Sequence, residues 1–201
     1  TVYACYRTET GEMNELAAKY SDLNLLQWDV THPAPDALLQ TLPQQVDLII
    51  NNAGIYGPKK DGQSLEKVTS DTMHEVFDVD AVAPLRVVQT LLPRLRRPGA
   101  IIANISSKMG SSADNSSGGT YAYRAAKAAL AIVSKSMAVD LAADGIGVVC
   151  LHPGWVRTNM VNFTGLVDVE ESVSGMATVI ENLERYGSGA FVAFDGQVVP
   201  Y

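Results

Sequence analysis

Tyr123 and Lys127 are the residues whose types and spacing point most directly to chemistry. They stand four positions apart in the run YAYRAAKAAL, separated by good helix formers. Side chains four apart on a helix share a face, so the phenol and the ammonium would point the same way. An ammonium nearby can lower the pKa of a phenol from about 10 by about 1 to 3. We therefore expect Tyr123 to work as an acid or a base near neutral pH.

A second pair with the same spacing, Tyr56 and Lys60, predicts no such geometry. Gly57 and Pro58 lie between its members, and both residue types break helices. For Tyr123 and Lys127 the alternative is a half-buried tyrosine beside a surface lysine, which the spacing by itself leaves open.

Strands alternate with helices along the chain. Apolar runs predict strands over 2–6, 24–28, 46–50, 100–105, 146–151 and 190–194. Helical patterns lie over 11–20, 36–41, 71–97, 120–143 and 169–185. Apolar strands separated by helices predict a parallel sheet covered on both faces. The sequence therefore predicts an α/β fold with a doubly wound parallel sheet, in a single domain over 1–201.

Composition excludes several classes of partner. The net charge of −7 argues against nucleic acid or an anionic membrane, and no run reaches membrane-spanning length. Cys5 and Cys150 lie in separate apolar runs, so we expect core thiols in a reducing compartment and a cytoplasmic protein. His32, His74 and His152 lack metal-ligand spacing, so we expect no metal site.

Unusual residues follow three of the predicted strands. NNAG (51–54) follows the third strand, SSKMGS (106–111) the fourth and HPGWVRT (152–158) the fifth. Ligands of a doubly wound sheet bind beyond the carboxyl ends of its strands. Three such endings, with the Tyr–Lys helix after the second, predict a ligand site at that edge.

These motifs resemble those of the short-chain dehydrogenase/reductase family. NNAG, the serine of NISS, YRAAK and PGWVRT occur in that family's order. Within the family, HPGWVRTNM, the serine-rich stretch before YAYRAAK and the short C-terminal segment are similar to C-factor and sniffer-type carbonyl reductases. The resemblance implies a Rossmann-like fold and hydride transfer between a nicotinamide cofactor and a small carbonyl or alcohol substrate.

The resemblance also implies a role for each catalytic residue. Tyr123 would give a proton to the carbonyl oxygen or take it from the alcohol, and Lys127 would hold the nicotinamide ribose. Ser107 would donate to the substrate oxygen; Ser106 is the alternative, because neighbours on a strand point to opposite faces. The implied cofactor-binding set is Arg7, Asp29, Val30, Asn52, Ala53, Gly54, Tyr123, Lys127, Pro153, Gly154, Val156 and Thr158.

The choice of cofactor depends on the end of the first strand. YACYRTET places Arg7 there and the first acidic residue only at Glu9. An acidic residue would bind a ribose 2′-hydroxyl, whereas an arginine accommodates a 2′-phosphate. The sequence favours NADP(H), with an ordinary surface arginine as the alternative.

Two features depart from the family pattern. The opening strand, glycine-rich turn and helix that bind pyrophosphate have no counterpart, so we expect an N-terminally truncated domain, either a fragment or a natural truncation. Asp80 stands where the family has the asparagine of its catalytic set. Pro84 lacks an N–H, which frees the carbonyl of residue 80 to hold a water whatever the side chain is. Asp80 therefore stays with Ser107, Tyr123 and Lys127 as a catalytic candidate.

Two functions remain open at this point. An NADPH-dependent carbonyl reductase is favoured by the retained Ser107, Tyr123 and Lys127. A non-catalytic binding or signalling module is favoured by the missing glycine-rich turn. The helices over 71–97 and 120–143 carry more apolar positions than one sheet-facing stripe needs, so we expect a homo-oligomer.

Overall fold

Parallel strands alternate with helices along the chain. The computed structural model describes residues 1–201. They form two compact units, Thr1–Gln44 and Gln45–Tyr201, and each carries its own parallel sheet. The single domain expected over 1–201 stays a prediction.

The first unit is one strand–helix–strand repeat followed by a short helix. Its elements are β1 (Val2–Tyr6), α1 (Gly11–Lys19), β2 (Leu23–Gln27) and α2 (Asp36–Thr41). β1 and β2 pair in parallel from Val2 opposite Leu23 to Tyr6 opposite Gln27. The residues that follow the two strands therefore leave from the same edge.

The second unit holds four parallel strands in the order β3-β4-β5-β6. Its strands are β3 (Leu48–Asn51), β4 (Ile101–Ile105), β5 (Gly147–His152) and β6 (Ala190–Ala193). Its α-helices are α3 (Ser70–Phe77), α4 (Ala83–Leu91), α5 (Tyr121–Asp140), α6 (Val169–Glu181) and α7 (Leu183–Tyr186). Short 3-10 turns lie at Leu92–Arg94, Lys108–Gly110, Ala142–Asp144 and Asn159–Val161.

Helices cover both faces of this sheet. Val149 of β5 belongs to a buried cluster with Val179 of α6 and Leu183 of α7. Its neighbour Cys150 belongs to a different cluster with Ala131 of α5. Because adjacent residues of a strand point to opposite faces, α5 lies on one face and α6 and α7 lie on the other. The doubly wound α/β prediction is confirmed.

The two strand orders agree with the order 3-2-1-4-5-6 of dinucleotide-binding folds. When β1 is counted as the second strand of that order, β2-β1 correspond to strands 3 and 2. The run from β3 then corresponds to strand 4 onward, with one further parallel strand at its end. The fold is Rossmann-like.

The prediction of one continuous helix over 71–97 is wrong, because the structure divides this segment. α3 ends at Phe77, and a π-helical turn over Asp78–Val82 separates it from α4. The N–H of Ala83 bonds to the carbonyl oxygen of Asp78, five residues back. Pro84 offers no N–H and sits in the first turn of α4, so the chain accommodates it where a helix tolerates proline.

Two further observations concern expectations from composition. Cys5 and Cys150 are both free thiols, as expected, but Cys5 is exposed and not a core residue. The first unit buries few apolar side chains, namely Trp28, Leu38 and Leu42, so its two-stranded sheet does not enclose Cys5. None of the helices combines the length and apolar character that crossing a bilayer requires.

Candidate active site

Helix α5 directs Tyr123 and Lys127 into the interior of the second unit. Their exposed fractions are 8% and 4%. The Nζ atom of Lys127 lies 5.6 Å from the centre of the Tyr123 ring. The two side chains thus share one face of α5, as their spacing predicts, and the alternative of a surface lysine does not hold.

The loop after β4 brings one of its two serines to the tyrosine. The Ser107 side chain lies near enough to that of Tyr123 to interact with the phenol, and its Oγ accepts from the backbone N–H of Met109 at 3.2 Å. Ser106 is turned away, because its hydroxyl donates to the backbone carbonyl of Lys127 at 3.0 Å. The chain therefore places Ser107, and not Ser106, beside the phenol.

Close packing of this loop on α5 depends on Gly110. A Cβ atom there would lie 2.6 Å from the backbone carbon of Lys127 and 2.7 Å from the backbone nitrogen of Ala128. No side chain fits at such distances, so only glycine lets the serine loop approach the helix this closely.

The residues at the end of β3 differ in burial. Asn51 ends the strand, one residue later than the sequence predicts, and its amide donates to Oδ1 of Asn104 at 2.7 Å. The Asn104 amide donates in turn to the Ser134 hydroxyl of α5 at 2.8 Å. All three are buried, whereas Asn52 and Ala53 are exposed.

Asp80 and Lys127 form a buried ion pair behind Gly54. The carboxylate Oδ2 of Asp80 lies 3.2 Å from Nζ of Lys127, and Oδ1 accepts from the backbone N–H of Ile55 at 2.7 Å. The ammonium also donates to the carbonyl of Ile105 at 3.0 Å. A Cβ on Gly54 would lie 3.3 Å from Nζ and 3.4 Å from Oδ1, so the ion pair fills the space that the glycine leaves.

Burial and charge shift the protonation of this cluster. Burial raises the pKa of the Asp80 carboxyl, while Lys127 and the Ile55 N–H act against that rise. Burial also raises the pKa of Tyr123 well above its usual value, followed by the charge of Asp80, while the hydrogen bond with Ser107 opposes it. The lowered phenol pKa predicted from the Tyr–Lys spacing is wrong, because burial raises the pKa and the Asp80 carboxylate beside the ammonium adds to that rise.

Gln63 is a buried residue of the site that no sequence pattern marks. Its Nε2 donates to the carbonyls of Tyr56 and Pro58 at 2.6 and 3.1 Å, and its Oε1 accepts from the backbone N–H of Tyr123 at 3.0 Å. Thr120, at the N-terminus of α5, has a φ of 51° and makes no side-chain cap. Gln63 therefore caps α5 from a distant loop.

Tyr56 is the second residue that sequence reasoning set aside. Its ring centre lies 4.9 Å from that of Tyr123, tilted by 42°. Its hydroxyl lies 3.4 Å from the hydroxyl of Thr120. Lys60 has a φ of 57° and belongs to no helix, so the Tyr56–Lys60 spacing carries no helical geometry, as expected. The aromatic contact with Tyr123 comes from the tertiary fold alone.

The segment after β5 holds four more of the expected cofactor residues. The Pro153 carbonyl accepts from the Ser172 hydroxyl of α6 at 2.6 Å. Gly154 follows with a φ of 88°, a conformation that suits glycine. Val156 forms a bridge with Val167, and the Thr158 carbonyl begins the next 3-10 turn. These residues leave the same sheet edge as Ser107 does.

In the first unit, Arg7, Asp29 and Val30 share one edge of the β1–β2 sheet. Arg7 follows β1 directly and is exposed, and Asp29 and Val30 lie just beyond β2. The side-chain and backbone hydrogen bonds from Thr31 lower the pKa of Asp29, with smaller contributions from His32 and Arg7. The Asp29 carboxylate is thus ionised and already occupied by donors of its own loop.

Comparison with known proteins covers nearly the whole chain. The family model described as short chain dehydrogenase matches residues 1–166. C-signal from Myxococcus xanthus is 42% identical over 158 residues, which are 78% of this chain and 93% of that protein. The range that the family model matches includes Asp80, Ser107, Tyr123 and Lys127.

Solved structures show the same relationship. The carbonyl reductase Sniffer of D. melanogaster is similar with a TM-score of 0.89 and 31% identity, over 99% of this chain and 87% of that chain. The NADPH-bound carbonyl reductase from chicken fatty liver is similar with a TM-score of 0.86 and 33% identity, over the same shares of 99% and 87%.

Proposed function

Because the chain belongs to the short-chain dehydrogenase/reductase family, we propose that it is an NADP(H)-dependent oxidoreductase that interconverts a small aldehyde or ketone and its alcohol. The observation that carries this proposal is the buried contact of Tyr123 with Ser107 on one side and Lys127 on the other. The carbonyl substrate is supported by the two solved structures above, both carbonyl reductases.

Tyr123 is the proton donor in this reaction. Its raised pKa keeps the phenol protonated at neutral pH, which is the form that a reduction needs. The Ser107 hydroxyl, already within hydrogen-bonding reach of the phenol, donates to the carbonyl oxygen and holds it there. In the reverse direction Tyr123 accepts the proton of the alcohol.

The donors of Lys127 fit a nicotinamide cofactor. An ammonium has three N–H donors. One donates to the Ile105 carbonyl and the Asp80 carboxylate lies 3.2 Å away, so at least one remains for a ribose hydroxyl. The nicotinamide, when bound, supplies the hydride. The other residues proposed to contact the cofactor in this unit are Asn52, Ala53, Gly54, Pro153, Gly154, Val156 and Thr158.

Arg7 is the proposed ligand of the 2′-phosphate that distinguishes NADP(H) from NAD(H). Its guanidinium is exposed, and its forked donors suit a phosphate. Asp29 and Val30 are proposed to border the adenine. The NADPH in the chicken carbonyl reductase supports the same choice.

The direct test is reduction of a panel of small aldehydes and ketones by the full-length protein, followed by the loss of NADPH absorbance. Tyr123→Phe removes only the hydroxyl, so turnover falls at least about 100-fold while NADPH binding stays nearly intact. Tyr121→Phe, an exposed tyrosine on the same helix, is the matched control and keeps full turnover.

The alternative function is a non-catalytic binding or signalling module. It is favoured by the relative named C-signal, which is 42% identical. Turnover that persists unchanged in Tyr123→Phe contradicts the proposed chemistry. A full-length protein that reduces no member of the panel, yet binds NADPH, favours the alternative.

A homo-oligomer is proposed from the outer face of α5. Its exposed positions form a stripe at helical spacing, and most of them are apolar. Its apolar members are Tyr121, Ala125, Ala128, Ile132 and Val139, and Lys135 lies between the last two. Two-fold pairing would bring this stripe against its own copy.

A cytoplasmic location is proposed from the cysteines. Cys5 and Cys150 are both free, and Cys150 is buried in the core. Burial raises the pKa of the Cys150 thiol to about 12, so it stays an unreactive thiol. An exposed free thiol such as Cys5 persists in a reducing compartment.

A further inference from the structure

Asp80 brings a carboxyl group into the centre of the proposed catalytic cluster. It has no exposed surface and lies on the π-helical turn between α3 and α4. Of the groups around it, only Lys127 carries an opposite charge, with 3.2 Å between Oδ2 and Nζ. A carboxylate at this depth needs such a partner, because an unpaired buried charge is strongly disfavoured.

We propose that Asp80 is a positioning residue that, by neutralising the Lys127 ammonium, holds Tyr123 in its protonated form and moves the onset of alcohol oxidation to higher pH. The inference rests on the proposed role of Tyr123 as the proton donor. It goes further by assigning this pH dependence to one carboxylate, which acts on the phenol without touching substrate.

The physical reason is the sum of two opposite charges. An ammonium without a counter-charge stabilises a nearby phenolate and lowers the pKa of the phenol by about 1 to 3. Here the carboxylate of Asp80 lies in contact with that ammonium, so the phenol of Tyr123 experiences a nearly neutral pair. Asp80 acts on Tyr123 in the raising direction, second only to burial.

Other ionisable groups near the phenol do not provide the same effect. Tyr56 also raises the pKa of Tyr123, but as the last and smallest contribution. Cys150, which interacts with Lys127 from β5, keeps its proton because its pKa is raised to about 12. α3 faces α5 with the apolar Val76. The charged residues of α3 are exposed: Asp71, His74 and Glu75.

The consequence is a different pH range for each direction of the reaction. A protonated phenol is ready to donate to a carbonyl oxygen, whereas oxidation of an alcohol needs the phenolate as a base. Asp80 keeps the phenolate scarce until high pH. Asp80→Asn leaves an amide of the same shape, whose oxygen still accepts from the Ile55 N–H, but removes the negative charge.

The test is a titration of tyrosinate absorbance, which needs neither substrate nor cofactor. The spectrum of Tyr123→Phe subtracted from that of the wild type isolates the ionisation of Tyr123. The same subtraction is made in the Asp80→Asn background. We expect the midpoint of Tyr123 ionisation in the Asp80→Asn protein to lie at least about 1 pH unit below the wild-type midpoint. If the wild type shows no ionisation of Tyr123 before it unfolds at high pH, the Asp80→Asn midpoint should lie at least about 1 pH unit below the pH of that unfolding. Coinciding midpoints overturn the proposal.

The matched control is Asp78→Asn, on the same π-helical turn. Asp78 pairs with Arg86 at 3.2 Å and is partly exposed. Its replacement by asparagine therefore removes the same charge but leaves the contact between Asp80 and Lys127 in place. The midpoint of Tyr123 stays in place in this variant. Asp80→Ser, which also removes the charge, replaces Asp80→Asn if circular dichroism shows that the latter does not fold.

The pH profile of alcohol oxidation is the second readout. In Asp80→Asn its rising limb moves to lower pH by the same amount as the tyrosinate midpoint. If no variant oxidises any alcohol but the midpoints still differ, the proposed function fails and the role of Asp80 in the protonation of Tyr123 stands. If oxidation occurs with an unmoved limb and unmoved midpoint, the role of Asp80 fails and the proposed function stands.

Discussion

The side-chain oxygen of Gln63 lies 3.0 Å from the backbone nitrogen of Tyr123, so one loop residue supplies the cap that helix α5 lacks. The Nε2 atom of the same side chain donates hydrogen bonds to the carbonyls of Tyr56 and Pro58, in the loop that follows β3. These hydrogen bonds make the position of Tyr123, the proposed acid, depend on the loop that carries Tyr56.

Replacing Gln63 with alanine should destabilise the protein by about 1 to 3 kcal/mol. The change leaves the Tyr123 N–H and two loop carbonyls without their partner in the interior. Chemical denaturation followed by circular dichroism measures the free energy of unfolding. Gln89→Ala, an exposed glutamine on α4, is the control and should stay within about 0.5 kcal/mol of the wild type. Equal free energies for both variants would show that the cap contributes nothing.

Arg7→Ala should weaken NADPH binding by about 10-fold and leave NADH binding unchanged. A lost contact between a guanidinium and a phosphate costs about 1.5 to 3 kcal/mol, and only NADPH carries the 2′-phosphate. Fluorescence titration of the full-length protein with each cofactor gives the two dissociation constants. Lys19→Ala, the other basic side chain of residues 1–44, is the control. An equal loss for both cofactors would remove Arg7 from the 2′-phosphate.

His152 should make the stability of the protein fall between about pH 6.5 and pH 4. Burial, followed by the charge of Lys108, lowers its pKa to about 4 from an ordinary value of 6.5. In that range the unfolded chain takes up a proton that the folded chain does not, so stability is complete above pH 6.5 and declines as the pH falls towards 4. The loss is about 1 to 3 kcal/mol, because partial exposure reduces the full effect.

Thermal or chemical unfolding at a series of pH values measures this slope. His152→Gln keeps an acceptor for the backbone N–H of Lys108 and should flatten it. His32→Gln changes an exposed histidine and should leave the slope as it is. An unchanged slope in His152→Gln would assign the decline to other groups.

Ile132→Glu should convert the proposed homo-oligomer into monomers. Ile132 is 59% exposed in the middle of the apolar stripe on α5, and a charge there would be buried without a partner when two copies pair. Light scattering at micromolar concentration gives the mass of the full-length protein and of the variant. Ala177→Glu, at an exposed position of α6 on the other face of the sheet, is the control. A monomeric wild type contradicts the proposal outright.

Much of the fold could be predicted from apolar periodicity. The six predicted strands are all present. β4, β5 and β6 are buried on both faces, which leaves a continuous apolar run that few other elements imitate. The long helix over 71–97 could not be divided correctly. Pro84 marks a disturbance, but the residues before it have ordinary helical character, and the π-helical turn shows only in the hydrogen bond from Ala83 to Asp78.

The site could be predicted in its members more than in its electrostatics. The Tyr–Lys spacing indicates Tyr123 and Lys127, the resemblance to the family adds Ser107, and the fold brings the three together. The protonation of Tyr123 could not be predicted from its distance to one lysine, because burial and a carboxylate of another element decide it. Gln63 lies 60 residues from its partner Tyr123, a separation at which local patterns carry no information.

The amide contact between Asn51 and Asn104 has a consequence for how the strands align. The two residues stand directly opposite each other in the β3–β4 pair, and their side chains meet at 2.7 Å. A slip of β3 by a single residue would turn the Asn51 amide to the other face and leave the Asn104 oxygen buried without a donor. The contact therefore fixes the register of the sheet, and with it the height at which Gly54 and Ser107 leave neighbouring strands.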